Sequence, residues 1–334
     1  MGLGGTENVI INLCKYLKDD YKIYVCSANG VNVSKLNEYG VDFIEIPDIC
    51  SCSILELLKI KIKLKKFIIL NSIDIVHTHH RKAAFLISIM YLKNVKLIHT
   101  MHNIFHDKIL TTRYMLKKFL VVACGKNVYD SIKLIYKLKN IYLIENGIDN
   151  SLKEIEFPFF INQKKQGKFI FGFVGRLCEQ KGIDKLLESF VVTMTDKMVL
   201  VIYGDGTEYI DLVKKYCDKY DNIYYFGYTN NSLEVISNFD CLILPSRWEG
   251  LALTIIEAIS VKTFVACSDI SENKEIIKNN YNGITFSLNE TINFPYIMEC
   301  AINKKEIVEN AYELYNKNYK IENFVKKYRS IYNE

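Results

Sequence analysis

The 334-residue chain lacks any run of roughly 18 uninterrupted apolar residues, so its sequence predicts no membrane-spanning helix. Its ten cysteines are scattered singly, and no pair of C-x-x-C units suggests a zinc site. Their spacing also argues against a disulfide framework, which favours reduced core thiols in a cytoplasmic protein. Met1 leads straight into a glycine-rich loop, and we therefore expect no signal peptide.

Positive charge is concentrated in the first half of the chain. Residues 1–150 hold 21 Lys and Arg against 13 Asp and Glu, a balance of +8, whereas residues 151–334 hold 22 against 25, a balance of −3. A basic half suggests an anionic partner. Because no helix-turn-helix, zinc knuckle or aromatic RNP-like strand accompanies the charge, an anionic membrane face fits better than nucleic acid.

Strands alternate with helices in both halves of the chain, which predicts two doubly wound α/β domains with parallel sheets. Between the halves, the polar stretch 150–168 predicts an irregular linker. Residues 53–70 are ambiguous, because part of this stretch alternates with period two as a strand would. Their length favours a basic amphipathic helix, for which solvation of the lysine face is at least as favoured as membrane contact.

Two glutamates stand eight residues apart in the stretch 245–260. Glu249 follows the apolar strand predicted at 240–244, and Glu257 lies about 12 Å further along the next predicted helix. Carboxylates only accept hydrogen bonds, so this pair suits a ligand rich in hydroxyls, and the helix N-terminus suits a phosphate. Taken alone, however, the pattern favours a surface loop and a solvated glutamate.

Two cations and several histidines also follow predicted strands. Arg176 and Lys181 stand five residues apart across a loop, where they can clamp a diphosphate without metal or remain solvated. No Asp-x-Asp pair ends a strand, so the cations would take the place of a divalent metal. The histidines at 77–80, His99 and His102 lack an acidic or cysteine ligand nearby, which makes them a weak metal signal.

The order of these motifs resembles that of the retaining GT-B glycosyltransferases of the glycogen synthase and bacterial mannosyltransferase superfamily. The resemblance is carried by four patterns: the Gly-Gly-x-Glu loop at 4–7, Asn-Gly-Ile-Asp at 146–149, Gly-Arg-x4-Lys-Gly at 175–182, and Ser-x-x-Glu-Gly at 246–250 followed by Glu257-Ala258. It covers the chain from Gly2 to the last helix and is most specific in the second half.

The resemblance implies a role for each matching residue. Glu249 would hold the donor sugar, Glu257 the ribose hydroxyls, Arg176 and Lys181 the diphosphate, and His102 would lie near the reacting sugar carbon. The glycine loops and the start of the signature helix would complete the donor site through Gly4, Gly5, Gly204, Gly250 and Leu251. No metal or other cofactor is expected.

The implied fold is GT-B, with two Rossmann-like domains facing across a cleft: residues 1–155 on the acceptor side and 156–319 on the nucleotide-sugar side. The last helix, 320–334, would pack back on the first domain. The implied activity is that of a hexosyltransferase, which moves a sugar with retention from a UDP- or GDP-sugar to a glycan or lipid-linked glycan in bacterial surface polysaccharide synthesis. We expect a cytoplasmic enzyme, peripheral on the inner membrane face, that binds no nucleic acid.

The chain departs from the family pattern at its start and around the glutamates. The first strand of the N-terminal domain is missing, so we expect either an upstream segment of about ten residues that supplies it or an incomplete first sheet. Ala252, Lys262 and Phe264 replace the residues usual at those places. Two other functions stay open: a non-catalytic glycosyltransferase-like partner subunit, and a GT-B sugar-nucleotide epimerase.

Overall fold

The computed structural model describes residues 1–2, 5–105, 107–303 and 305–334, which form two compact units. Unit 1 comprises Met1–Gly147 and Ile321–Glu334, and unit 2 comprises Ile148–Lys320. The last helix therefore belongs to the first unit. The sequence predicts the boundary between the halves after residue 155, and the structure divides them after Gly147.

Unit 1 is an α/β structure built from parallel strands. Its strands are β1 Tyr24–Ser27, β2 Asp42–Glu45, β3 Ile75–Thr78, β4 Lys96–Met101, β5 Leu120–Ala123 and β6 Ile141–Leu143. Its helices are α1 Gly5–Leu17, α2 Val33–Glu38, α3 Ile54–Leu70, α4 Arg81–Ser88, α5 Ile109–Leu116 and α6 Lys126–Ser131, with a π-helical turn at Ile132–Tyr136. Helix α15, Ile321–Asn333, completes the unit and packs with α1 over Ile98 and Val122 of the sheet.

The strands of unit 1 form two separate parallel sheets. β1 pairs only with β2, and β3 begins a four-stranded sheet in the order β3-β4-β5-β6, among the residues that the structure describes. An unbroken doubly wound sheet would place one more strand between β1 and β3. The described residues contribute no strand between β1 and β3.

Unit 2 contains one six-stranded parallel sheet in the order β12-β11-β10-β7-β8-β9. The strands are β7 Phe169–Val174, β8 Met198–Tyr203, β9 Ile223–Tyr225, β10 Cys241–Leu244, β11 Phe264–Ser268 and β12 Ile284–Phe286. The helices are α7 Pro158–Lys165, α8 Ile183–Thr193, α9 Ile210–Lys219, α10 Ser232–Ile236, α11 Leu253–Ser260, α12 Ser271–Ile276, α13 Phe294–Asn303 and α14 Lys305–Leu314. A 3-10 turn at Glu179–Lys181 and a π-helical turn at Tyr315–Tyr319 complete it.

Both faces of the unit 2 sheet are buried. Ile170 and Leu242 pack into the core on one face, and their neighbours Phe171 and Ile243 pack into the core on the other. Successive side chains of a strand point to opposite faces, so a strand covered on both sides must be apolar throughout. The continuous apolar runs of β7, β8 and β10 have this cause, and they hold the loops at their carboxyl ends firmly in place.

Two local predictions have different outcomes. Residues 53–70 form a helix as predicted, and α3 begins with a capping box in which the Ser53 hydroxyl accepts from the Glu56 N–H and the Glu56 carboxylate accepts from the Ser53 N–H. The predicted irregular linker is wrong over 158–165, where α7 forms. Pro158 starts that helix, because proline at the first helical position loses no hydrogen bond.

Candidate active site

The Glu249 loop, residues 245–252, connects β10 to α11. Because β10 is buried and parallel to its neighbours, it delivers this loop to the carboxyl edge of the sheet. The Glu249 side chain is only 6% exposed. One of its carboxylate oxygens, Oε1, accepts from the Ser246 hydroxyl at 2.6 Å and from the Lys181 ammonium at 2.6 Å. A carboxylate and a lysine that the sequence places on different loops are therefore in direct contact.

A glycine makes this contact possible. Gly182 follows Lys181 with φ +64°, and a Cβ at that position would lie 2.1 Å from the carbonyl oxygen of Pro245. Any other residue would be strained there and would push the two loops apart. Steric limits thus explain why glycine follows the lysine in this motif, because only glycine lets the loop after β7 pack against the loop after β10.

Arg176 is exposed and is held by a residue that the motif does not single out. Its Nη2 donates to Gln180 Oε1 at 3.0 Å, and Gln180 Nε2 donates to the carbonyl of Trp248 at 3.0 Å. Gln180 therefore links Arg176 to the Glu249 loop. The guanidinium is oriented by this contact, but its remaining N–H groups can still meet an anion.

Arg247 forms an ion pair with Asp184. Its guanidinium donates to both carboxylate oxygens of Asp184, at 2.9 and 2.6 Å, and to the carbonyl of Glu179 at 2.7 Å. Burial alone would raise the pKa of Asp184, but the hydrogen bonds and charge of Arg247 outweigh it and lower that pKa. This bidentate pair fastens the Glu249 loop to the start of α8.

Glu257 lies on α11 in a confined environment. Its Oε1 accepts from the Ser232 hydroxyl at 3.3 Å. Burial raises the pKa of Glu257 to about 7, and the Ser232 hydrogen bond and the charge of Lys181 offset only part of that effect. Lys181 is thus close enough to act electrostatically on both signature glutamates.

The predicted glycine turns line the same edge of the sheet. Gly204 follows β8, and a Cβ there would lie 1.9 Å from the carbonyl oxygen of Gly175, so the turns after β7 and β8 touch. Gly250 and Leu251 precede α11, whose Ala252 cap makes no side-chain hydrogen bond among the described residues. In the first turn of that helix, the Leu253 N–H donates to the Leu251 carbonyl and the Ile255 N–H donates to the Ala252 carbonyl.

These residues give unit 2 an edge that combines cations and carboxylates. Arg176 and Lys181 suit a diphosphate, and the two glutamates suit hydroxyl groups. The structure brings together Lys181, Glu249 and Glu257. Arg176 is connected to the Glu249 loop through its hydrogen bond to Gln180.

In unit 1, His102 follows β4 and pairs with a second histidine. Its Nε2 lies 3.0 Å from Nδ1 of His79, and the two rings are stacked with centroids 5.3 Å apart. Burial lowers the pKa of His102 to about 4, and burial followed by the neighbouring histidines lowers the pKa of His79 well below its usual value. Both rings are therefore neutral at pH 7, and one nitrogen of the close pair must donate while the other accepts.

The other strand histidines are held by structural contacts. His77 on β3 lies between the Tyr332 hydroxyl and the Thr100 hydroxyl, each at 2.7 Å, and His99 on β4 is buried against Thr78. No group of three or more His, Cys, Asp or Glu is placed to hold a metal ion in the described part of the chain. Gly5 begins α1, whereas Gly4 lies outside the described residues.

Family models match both halves of the chain. Residues 154–318 match the family Glycosyl transferases group 1, and residues 3–152 match Glycosyltransferase Family 4. The chain belongs to the GT-B glycosyltransferases. Each of the two matches falls almost entirely on one structural unit, so this glycosyltransferase has both Rossmann-like halves of its family.

Individual glycosyltransferases resemble the chain over most of its length. It is 27% identical over 305 residues to the UDP-Gal:alpha-D-GlcNAc-diphosphoundecaprenol alpha-1,3-galactosyltransferase of Escherichia coli, covering 81% of this chain and 77% of the relative. It is 24% identical over 354 residues to an O-antigen biosynthesis glycosyltransferase of Escherichia coli, covering 98% and 94%. The crystal structure of Anabaena HepE in complex with UDP and glucose superposes with a TM-score of 0.83 at 17% identity, covering 99% and 96%, and supports the fold.

The sequence pattern of this glycosyltransferase points to four of the charged site residues but not to what holds them. Gln180 and the Arg247–Asp184 pair carry no motif that predicts their contacts. Ser246 belongs to the signature loop, yet its hydrogen bond to Glu249 is visible only in the structure. His79 stands two residues after His77, and only the pairing of β3 with β4 brings it to His102.

Proposed function

We propose that this glycosyltransferase moves a hexosyl residue from a UDP-sugar to a glycan or lipid-linked glycan acceptor, with retention at the anomeric carbon. The observation that supports this most directly is the contact between Lys181 and Glu249 at 2.6 Å, with Glu257 within the influence of the same cation. In this arrangement one positive charge acts on two carboxylates. A nucleotide-sugar has a matching order of groups, because its diphosphate lies between a sugar and a ribose.

In the proposed reaction, the bond between the anomeric carbon and the diphosphate oxygen breaks and its electron pair stays on the diphosphate, while the acceptor hydroxyl oxygen forms the new bond to that carbon and its proton passes to the leaving diphosphate oxygen. The negative charge that develops there is stabilised by Arg176 and Lys181, which is electrostatic catalysis by groups already in place. Lys181 would exchange part of its contact with Glu249 for the phosphate. Glu249 would then accept hydrogen bonds from donor hydroxyls while Ser246 keeps its carboxylate oriented.

Glu257 and His102 have proposed roles that fit their local electrostatics. A carboxyl with a pKa of about 7 becomes a better acceptor for ribose hydroxyls as pH rises above neutrality. His102 is proposed to lie near the reacting sugar carbon. Its environment favours the neutral imidazole, which adds no positive charge beside the anomeric carbon, where positive charge develops as the bond breaks.

The choice of UDP and of a lipid-linked acceptor is supported by the relatives. The Escherichia coli galactosyltransferase is named for a UDP-Gal donor and a diphosphoundecaprenol-linked acceptor, and HepE was crystallised with UDP. An O-antigen biosynthesis enzyme is also among the similar proteins. We therefore propose bacterial surface polysaccharide synthesis as the process, at the cytoplasmic face of the membrane.

A surface on α3 supports a membrane partner. The α3 surface consists of the exposed apolar residues Leu55, Leu58, Ile62 and Ile69 and the lysines 59, 61, 63, 65 and 66 that flank them. Ile62 is 69% exposed and Leu55 72%, although both are apolar. A helix with a solvent-exposed apolar stripe flanked by lysines suits the interface of an anionic bilayer. No helix in the described ranges is long and apolar enough to cross a membrane.

A screen of nucleotide-sugars tests the proposal. Thermal shifts would be measured with UDP-galactose, UDP-glucose, UDP-N-acetylglucosamine and GDP-mannose, and hits would be assayed with polyprenyl-diphosphate sugars. A ligand at a hundredfold its Kd should stabilise the protein by about 2.7 kcal/mol. NMR of the product should show the donor's anomeric configuration.

Three outcomes would contradict the proposal in different ways. No stabilisation by any nucleotide would favour a non-catalytic partner subunit. Conversion of the sugar-nucleotide without an acceptor would favour an epimerase. A product with inverted configuration would overturn retention alone.

A further inference from the structure

Two histidines of unit 1 meet at the carboxyl edge of its four-stranded sheet. His79 directly follows β3 and His102 directly follows β4, and these two strands are parallel neighbours. Nδ1 of His79 lies 3.0 Å from Nε2 of His102, which is a hydrogen-bond distance. Parallel pairing therefore brings a second imidazole to the histidine that we propose lies near the reacting sugar carbon.

The His79 ring also packs against His77. The centroids of these two rings lie 4.1 Å apart. Both nitrogens of His77 already have partners, because they contact the hydroxyls of Tyr332 and Thr100 at 2.7 Å each. His77 therefore packs against His79 without competing for its nitrogens, and the hydrogen-bond partner of His79 within the described residues is His102.

Each ring of the pair keeps one nitrogen for a ligand. Among the residues that the structure describes, no group hydrogen-bonds to Nε2 of His79 or to Nδ1 of His102. Both residues are half-buried, and the lowered pKa values of both rings make them neutral at pH 7. A neutral imidazole has one donor and one acceptor nitrogen, so the hydrogen bond between the rings decides what the two outer nitrogens offer.

There are two ways to place the shared proton. If His79 donates from Nδ1, both rings carry their proton on Nδ1, and the outer nitrogen of His102 is a donor. If His102 donates from Nε2, both rings carry their proton on Nε2, and the outer nitrogen of His102 is an acceptor. Histidine in water favours the proton on Nε2, so the second arrangement keeps both rings in their preferred form.

We propose that His79 is a positioning residue, which accepts the Nε2–H of His102 and directs the Nδ1 lone pair of His102 at the donor sugar. This inference rests on the proposed sugar transfer. A lone pair is the negative end of the imidazole dipole, and positive charge develops at the anomeric carbon as the donor bond breaks. An Nδ1–H group in the same place would oppose that charge. His79 thus fixes both the orientation of the His102 ring and its polarity.

The His102 tautomer is measured in the parent protein by NMR with nitrogen-labelled histidine, and His102→Gln assigns the signals. At pH 7, His102 should show a protonated Nε2 and an unprotonated Nδ1. A protonated Nδ1, or an average of the two forms, would overturn the proposal. This measurement needs neither a substrate nor a variant of His79.

Two variants of His79 separate positioning from packing. His79→Phe keeps a flat ring against His77 but cannot accept the hydrogen bond, so His102 should show both tautomers and kcat should fall about tenfold or more. His79→Asn places an oxygen near the position of Nδ1, and it should keep the His102 tautomer and most of kcat. The KM for the UDP-sugar should change by less than about twofold in either variant, because the lone pair acts on charge that develops only in the transition state.

The matched control changes a neighbouring histidine outside the pair. His80→Asn retains a side-chain acceptor for the Lys82 N–H at the start of α4, and it should leave both the His102 spectrum and kcat unchanged. Equal losses of kcat in His79→Asn and His79→Phe, with a parent-like His102 spectrum in both, would show a packing role and overturn the proposal. Parent-like kcat in His79→Phe would do the same. A parent protein without sugar transfer would instead overturn the proposed function, and the NMR measurement would still decide the His79 contact.

Discussion

The ammonium nitrogen of Lys181 lies 2.6 Å from a carboxylate oxygen of Glu249, and both side chains are largely shielded from water, with 13% and 6% of their surface exposed. The contact joins the loop after β7 to the loop after β10. It places the Lys181 ammonium, which we propose binds the diphosphate, against the Glu249 carboxylate, which we propose binds the sugar. The pair thus gives each of the two shielded charges a partner.

Replacing Lys181 by methionine should destabilise unit 2. The change leaves the buried Glu249 carboxylate without its cation, and loss of one partner of a buried pair costs about 3 kcal/mol or more. The double variant Lys181→Met with Glu249→Gln should recover most of that stability, because no unpaired charge remains. Urea unfolding followed by Trp248 fluorescence measures both, since Trp248 is the only tryptophan in the chain. Equal stability of the parent and the single variant would show that the pair contributes little.

Arg176→Ala should weaken UDP binding with little effect on stability. The side chain is exposed, and its hydrogen bond goes to Gln180 rather than to a buried acid. A surface change of this kind typically alters stability by less than about 0.5 kcal/mol. Isothermal calorimetry should show about a tenfold or greater rise in the Kd for UDP, whereas Lys214→Ala on α9 should leave it unchanged. Parent-like affinity in Arg176→Ala would show that this arginine does not meet the diphosphate.

How far the sequence could predict this site depends on whether a contact is local. The strand–loop–helix context of Glu249 and Glu257 follows from apolar runs and glycines, and the motif order predicted the family. The Arg247–Asp184 pair spans 63 positions along the chain, and nothing in either neighbourhood marks the other residue. The helix α7 was missed because its polar sequence shows little apolar periodicity.

Unit 2 should lose stability as pH rises from about 4.5 to 7, through Glu257. Its folded pKa is raised to about 7 from an ordinary value of 4.5, so in this window the folded state holds a proton that the unfolded state has lost. Protonation of Glu257 therefore contributes roughly 3 kcal/mol to the free energy of unfolding at low pH, and this contribution is lost above pH 7. Glu257→Gln should remove it. Trp248 fluorescence in urea, measured from pH 4.5 to 8, gives the difference between the two proteins.

The control for this prediction must separate the effect of Glu257 on stability from that of the histidines of unit 1, whose protonation also depends on pH. Burial lowers the pKa values of His77 and His99 to about 3, so their contribution is present above pH 6.5 and is lost as pH falls. This trend has the opposite sign and is common to the parent and Glu257→Gln, so it cancels in the difference. If the two proteins show the same pH dependence, burial of Glu257 does not govern it.

The α3 surface should bind anionic membranes through its lysines. Each lysine near such a surface adds about 1 kcal/mol, and salt screens the effect over about 10 Å at 0.1 M. Changing the five lysines of the surface to glutamine should therefore abolish most co-sedimentation with vesicles that contain phosphatidylglycerol, while neutral vesicles should bind weakly in every case. The matched control makes the same charge change on unit 2 by replacing five exposed lysines with glutamine, at positions 164, 165, 214, 215 and 219.

A second pair of variants separates the apolar stripe from the charges on α3. Ile62→Ser should weaken binding to anionic vesicles at both low and high salt, because the burial of an apolar side chain in the interface does not depend on screening. The lysine variant should differ from the parent mainly at low salt. If all variants bind as the parent does, or if the parent binds neither kind of vesicle, α3 is a solvated helix and the acceptor reaches the enzyme by another surface.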